Sequence, residues 1–130
     1  MLIVIAKRLT KMIDFKRLDH ILITIPPNSK EAARAFYTDV LCLKEIPGSH
    51  PRGATWFEMG DIQLHIREEE GHKADSDRHP AFEVNDLPAA KEFLKEQNIE
   101  ISYSSEIEGR ERCFFRDPFG NRFELIEYKK

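Results

Sequence analysis

At 130 residues, with 41% hydrophobic and 33% charged side chains, the chain has the make-up of one ordinary globular domain. A formal net charge of -3 and the lack of a basic stripe leave no electrostatic footprint for nucleic acid, so no nucleic-acid partner is expected. Two cysteines, Cys42 and Cys113, do not make a disulfide framework, and reduced thiols in a cytoplasmic protein are the simpler expectation.

The chain opens on "MLIVIAKRLTK". Its apolar run, Leu2 to Ala6, is too short to span a membrane, and the positive charges follow it instead of preceding it. Neither a membrane segment nor a secretory signal is expected. An edge strand, a short helix or a partner contact all remain open, and Met12 offers a second start. Residues 1–17 are read as an extension and 18–130 as the domain.

From Leu18 the pattern is regular. "LDHILITI" (18–25) alternates, with Ile21, Ile23 and Ile25 on one face and His20, Leu22 and Thr24 on the other. Pro26 and Pro27 stop this strand. Asn28 or Ser29 can cap a helix, and Glu31 fits a capping box with Asn28. Ala32, Ala33, Phe36, Tyr37 and Val40 then recur at helical spacing. Strands follow at roughly 42–47, 54–59 and 61–67, separated by glycine-containing turns. "EEEGHKADSDR" (68–78) reads as a solvated linker, and His50 and His72 as exposed loop residues.

The second half repeats the plan. "HPAFEV" (79–84) is a strand, and Asp86 caps a helix that carries Pro88 in its first turn. Strands at 99–103, 112–116 and 122–128 complete it. The expected fold is α+β: two tandem βαβββ modules, about 18–67 and 79–128, forming cupped mixed sheets with helices on the outer faces.

Strand parity then sorts the chemistry. Isoleucines, leucines and phenylalanines take the helix side, and the opposite faces carry His20, Gln63, His65, His79, Glu83 and Glu124. Gln63 follows His20, and Glu124 follows His79, at nearly the same spacing, as an internal duplication would leave them. Glu124 sits in "RFELIEY", where burial without a partner costs several kcal/mol. Arg112, Arg116 or Arg122 could pair with it. A divalent cation held with His20 and His79 would also answer its charge, with Gln63 as a weak fourth ligand. Two imidazoles and one carboxylate suit Fe(II), and Mn, Ni, Co or Zn tolerate the same set. His65, on the same face as Gln63, is a rival ligand or a proton-transfer group. Cys113, Phe114 and Phe115 read as core.

Over about residues 18–128 the chain resembles the vicinal oxygen chelate superfamily, the glyoxalase / bleomycin-resistance / extradiol-dioxygenase group. The carriers are "LDHILITI", "AARAFYTDVLCL", "IQLHI", "HPAFEVNDL" and, most specifically, "FFRDPFGNRFELIE". The resemblance implies paired βαβββ modules with a divalent metal at His20, Gln63, His79 and Glu124. That set is similar to methylmalonyl-CoA epimerase, and its His20/His79/Glu124 subset resembles extradiol dioxygenases and fosfomycin-modifying thiol transferases. Glyoxalase I carries a proton-transferring carboxylate where this chain has Gln63. An amide is no general base, so true glyoxalase I activity is not expected.

The expectation is a metal-dependent enzyme acting on a small oxygen-rich organic molecule by isomerase, lyase, dioxygenase or thiol-transferase chemistry. His65 and Glu83 are the catalytic candidates, with Glu58 a further carboxylate. Arg52, in the loop "GSHPRG", is read as meeting an anionic substrate, and Trp56 and Tyr128 as lining its site. The alternative is a metal-free small-molecule binder walled by Trp56, Tyr128 and Phe115. A homodimer is expected, with the modules pairing within one chain or between two.

Overall fold

Isoleucines on alternate positions set the first pairing. Strand β1 (His20–Ile25) runs parallel to β4 (Ile62–Glu68), so that His20 lies opposite Gln63 and Leu22 opposite His65. The computed structural model describes residues 12–130. The apolar run at the N-terminus therefore lies outside the described residues, and residues 12–19 are exposed and carry no helix or strand.

Between β1 and β4 come α1 (Lys30–Ala35), which continues as a π-helical turn (Phe36–Val40), then β2 (Lys44–Ile46), a 3₁₀ turn (Pro51–Gly53) and β3 (Thr55–Met59). The first sheet has the order β1-β4-β3-β2. The second module holds β5 (Ala81–Glu83), α2 (Leu87–Glu96), β6 (Arg110–Arg116) and β7 (Arg122–Tyr128), in a sheet ordered β5-β7-β6. Both sheets are mixed: the first and last strands of each module pair parallel, the others antiparallel. This is the α+β, two-module architecture. Among the described residues no helix is long and apolar enough to cross a membrane.

The helix starts reveal the duplication better than the sequence does. Asp86 caps α2 as expected, its Oδ1 accepting from the Ala89 N–H at 3.0 Å. The Asn28–Glu31 capping box does not form. Asn28 sits in the left-handed region at φ 65°, and Glu31 pairs instead with Arg34. The first helix is capped from the sheet, where Glu68 Oε2 accepts from Ser29 N at 2.9 Å and Lys30 N at 3.1 Å. Glu127 Oε1 accepts from Leu87 N at 2.6 Å at the start of α2. Each module thus turns a carboxylate of its last strand onto its own helix N-terminus, where unpaired N–H groups favour negative charge.

The strand expected at 99–103 in the second module does not form. Ile99 N is committed to Leu94 O at the end of α2, so residues 99–103 contribute only the bridge Ser102–Phe114. The linker is also less solvated than expected. His72 donates from Nε2 to Phe119 O at 2.7 Å and accepts at Nδ1 from the Thr24 hydroxyl at 2.7 Å, a tautomer fixed by the carbonyl. Gly120 (φ 89°) faces the Ala74 backbone so closely that any Cβ would collide with it.

One core spans both modules, with Ile25, Tyr37, Phe57, Leu64, Leu94, Phe115 and Phe123 in a single cluster. Phe115 stacks on Phe123 at 5.3 Å on the helix side, so it is no wall of a pocket beside Trp56 and Tyr128. Each such side chain contributes roughly 1.5–3 kcal/mol on burial. The modules are also joined by hydrogen bonds from Tyr37 OH to Asp117 Oδ2 (2.6 Å) and from Asn121 Nδ2 to Thr24 O (2.9 Å).

Candidate functional site

Parallel pairing sets Ala81 opposite Glu124, with Glu124 N donating to Pro80 O at 3.0 Å. His79, just ahead of β5, is thereby brought over the carboxylate, and its Nε2 lies 2.9 Å from Glu124 Oε1. Glu124 is only 5% exposed. The other ring nitrogen of His79, Nδ1, lies 2.8 Å from Asp77 O. A carbonyl can only accept, so this shorter contact places the hydrogen on Nδ1, whereas the 3.3 Å contact from Arg122 Nη1, which can only donate, favours the other tautomer. With the hydrogen on Nδ1, Nε2 faces the carboxylate either as the second N–H of an imidazolium or as a lone pair sharing a cation with it. Two donors at about 2.0–2.2 Å from one cation, at right angles, stand about 3 Å apart. The 2.9 Å separation fits that geometry.

Glu124 has a second neighbour, Arg112, whose Nη1 lies 3.4 Å from Oε2 while Nη2 donates to Ser105 O at 2.7 Å. This contact is long and single, not a bidentate pair. Arg116 is committed to Ser76 O and Gly120 O. Arg122 lies over the Phe114 ring at 4.0 Å, with Nη1 3.3 Å from His79 Nδ1.

The first module holds the other candidates. His20 Nδ1 donates to Asp19 Oδ2 at 2.9 Å, which leaves its Nε2 lone pair uncommitted. The His20 hydrogen bond, with smaller help from the charges of His20 and Arg17, holds the Asp19 carboxyl below its usual range. Four rings then stack across the sheet: His20 on His65 (4.0 Å), His65 on Trp56 (4.0 Å) and Trp56 on His50 (4.1 Å). His50 is half-buried and donates to Ile46 O at 2.9 Å, so it is not the solvated loop residue that the sequence suggests. His65 is buried, which lowers its pKa, and its Nε2 lies 2.9 Å from Gln63 Oε1. An amide oxygen accepts, so His65 donates, and the Gln63 oxygen is already engaged.

The β1–β4 register makes Ala81 the counterpart of His20, because each faces the polar residue of the partner strand. His79 lies two residues earlier, not at the equivalent position. A two-residue offset preserves the face, which is why the sequence spacing looked equivalent.

Within one chain the candidates form two groups, His79 with Glu124 and His20 with Gln63 and His65. Among the described residues no cluster of three or more His, Cys, Asp or Glu side chains is placed to hold a metal ion. A cleft of about 1040 Å³ runs between β1 and the linker with the turn at Gly120, lined in part by Leu18, Leu22, His79 and Arg122. Glu83 is exposed, on the Glu124 face. Glu58, also exposed, lies opposite Gln63. Tyr128, on the Glu124 face, is 48% exposed. Arg52 lies elsewhere, in a cavity of about 280 Å³ whose apolar wall is Ile25, Phe57 and Ile66 on the helix side. Sequence reasoning passed over Asp19, although a carboxylate directly before a candidate histidine was visible. It named Arg112 and Arg116 of β6 as possible partners of Glu124, and of these Arg112 lies beside it, 3.4 Å away.

A family model described as the Glyoxalase/Bleomycin resistance protein/Dioxygenase superfamily matches residues 17–125. A protein of Bacillus anthracis assigned to the glyoxalase family is 33% identical, with 92% of this chain and 100% of that chain covered and a TM-score of 0.82. The genomically encoded fosfomycin resistance protein FosX of Listeria monocytogenes, complexed with Mn(II) and sulfate, is 20% identical (89% and 93% covered; TM-score 0.69). TnmS3, an antibiotic binding protein of Streptomyces sp. CB03234, is 15% identical (91% and 100% covered; TM-score 0.70). The last two show likeness of fold. No curated protein matches the chain.

Proposed function

Because the chain belongs to the Glyoxalase/Bleomycin resistance protein/Dioxygenase superfamily, we propose that it is a divalent-metal-dependent enzyme acting on a small oxygen-rich organic molecule. The observation that carries this reading is the His79–Glu124 pair at 2.9 Å, with the far nitrogen of His79 2.8 Å from the Asp77 carbonyl. In this reading Nε2 presents its lone pair, so that it and the buried carboxylate share a cation, and the manganese in FosX supports the same class of occupant on this fold. Fe, Mn, Ni, Co and Zn all suit the donors.

His79 and Glu124 hold the metal in this proposal, and His20 of a second copy supplies the third ligand. His20 is half exposed, and among the described residues its Nε2 is uncommitted and no third ligand joins the pair. Gln63, tied to His65, is a weak or displaceable ligand. When bound, the metal would polarise substrate oxygens and stabilise developing negative charge. His65 is the proton-transfer candidate through its free Nδ1, and Glu83 the second. Trp56 and Tyr128 line the site. A buried, neutral His65 suits a base better than a charged one would.

Metal analysis after reconstitution tests the reading. Near-stoichiometric metal is expected in the wild type and loss of it in His79→Ala and Glu124→Ala. A wild type that retains none of the five metals overturns it. Co-expression of His20→Ala with Glu124→Ala chains tests the shared site, because a mixed dimer regains one complete site only if ligands cross between copies. A metal-free binder is the second reading. The Trp56–His65 stack, a flat aromatic platform, favours it, and TnmS3 gives the fold a precedent for binding. Ligand binding by a protein that takes up no metal would decide for it.

A further inference from the structure

We propose that the cavity of about 280 Å³ on the helix side of module one is a second ligand site, which takes a small anion with an apolar body. The site does not rest on the metal reading above. In the same two strands Thr55 pairs with Ile66 and Trp56 with His65. Side chains alternate across a sheet, so the cavity and the Trp56–His65 stack lie on opposite faces. The cavity floor comes from three strands and the helix: Ile25 of β1, Phe57 of β3, Ile66 of β4 and Ala33 of α1 are each at most 2% exposed. Thr55 is the one polar residue among the buried members of the lining.

The rest of the lining is cationic. Lys30, Arg34, Arg52 and Arg67 border the cavity, against one carboxylate, Glu68. Glu68 is already spent, because its Oε2 accepts from Ser29 N and Lys30 N. Arg34 is held by Glu31 and Glu45, and Arg67 lies 3.8 Å from Glu69. Lys30 and Arg52 remain: among the described residues neither side chain has a carboxylate within 4.0 Å. The backbone at Arg52 is a separate observation. Arg52 sits in the left-handed region (φ 57°, ψ 27°), uncommon for a residue other than glycine, and Gly53 follows at φ 67°. Such conformations cluster at ligand clamps, where the surrounding structure enforces them. Here the turn brings Arg52 to the cavity that α1 also lines. An apolar floor with a few convergent charges is the make-up of a small-molecule site, and a volume just under the usual range of about 300–1,000 Å³ limits the occupant to a fragment-sized molecule. Two cations without partners favour an anionic head, and the floor favours a short alkyl or aryl body.

The test uses the full chain stripped of metal with a chelator, so that no carboxylate binds through a metal. Octanoate, acetate and octan-1-ol are titrated calorimetrically into the wild type, Lys30→Gln, Arg52→Gln and, as control, Lys129→Gln, each checked for folding by thermal melting. Octanoate, which has both head and body, should bind about tenfold or more tightly than acetate or octan-1-ol. Lys30→Gln and Arg52→Gln should each weaken it about tenfold, the loss of a charge-assisted contact, while Lys129→Gln leaves it unchanged. Backbone amide resonances should shift at residues 30–34 and 52–57 on titration. No octanoate binding overturns the proposal. So does octan-1-ol binding as tightly as octanoate, acetate binding as tightly as octanoate, or equal loss in the Lys129→Gln control. Amide shifts confined to residues 120–128 place the anion on the open sheet face and also overturn it. A protein that takes up no manganese but binds octanoate through Lys30 and Arg52 keeps this site and loses the metal reading, and the converse result loses this site alone.

Discussion

Asp117 and Glu124 lie seven residues apart, on either side of one turn, and each is 5% exposed. Asp117 is answered entirely by its neighbours. Its Oδ1 accepts from Phe119 N (2.9 Å) and Asn121 N (2.8 Å), and its Oδ2 from Tyr37 OH (2.6 Å) and Asn121 Nδ2 (2.9 Å). Glu124 has one short contact, to a histidine nitrogen, and one long one to Arg112. Burial alone therefore does not mark a site. The marker is a buried charge whose partners are few, titratable and shared with an open face.

The sharpest way to break this comparison is to remove each carboxylate in turn. Asp117→Ala strands four donors and loosens the joint between modules, and it should cost about 3–5 kcal/mol in urea unfolding. Glu124→Gln should cost less than Asp117→Ala, about 1–2 kcal/mol, because the isosteric amide fills the same space and its oxygen still accepts a hydrogen bond from a neighbour. Its effect should fall on metal uptake, lowering affinity by more than about 100-fold in equilibrium dialysis. If Glu124→Gln proves as destabilising as Asp117→Ala, Glu124 is a structural carboxylate like its neighbour and the metal reading fails.

The alternation of "LDHILITI", "DIQLHIR" and "RFELIEY" was enough to place the paired first and last strands and to set His20, Gln63, His65 and Glu124 opposite the helix side, because side-chain direction follows from period two alone. The turn "DPFGN" was legible as a turn but not as a buried hub. Nothing in the local sequence shows that Tyr37, eighty residues away, will reach Asp117. The failed capping box at Asn28 has the same origin, since Glu68 competes for those N–H groups from a distant strand. The two-residue offset between His20 and His79 was invisible because it leaves parity unchanged. Convergence of the ligand set depends on how modules pair, within or between chains, which no local pattern encodes.

A smaller effect sharpens the contrast from the module-one side. Asp19 holds His20 Nδ1–H at 2.9 Å and so fixes the tautomer that leaves Nε2 free. Asp19→Asn should lower metal affinity about tenfold, without changing the melting temperature, because Asp19 is exposed and packs against little. Equal metal affinity in Asp19→Asn and wild type would remove His20 from the ligand set.

The smallest effect concerns Tyr37, the partner that makes Asp117 structural. Tyr37→Phe deletes one of four donors while Asn121 Nδ2 still serves the same oxygen, so the cost should be about 1–2 kcal/mol near neutral pH. Its pH dependence is more diagnostic. Burial in the core, and then the Asp117 charge and hydrogen bond, raise the Tyr37 pKa well above its ordinary value of 10.0. The folded protein therefore holds this proton more tightly than the unfolded chain does. The stabilisation is complete below about pH 10 and is lost as pH climbs through the folded-state value, where the unfolded chain ionises first. Wild type should lose stability on the alkaline side of pH 10 in urea titrations, and Tyr37→Phe should show a flatter alkaline limb. Parallel limbs would mean that the phenol and Asp117 are not coupled in solution, and the contrast between the two carboxylates would lose its structural half.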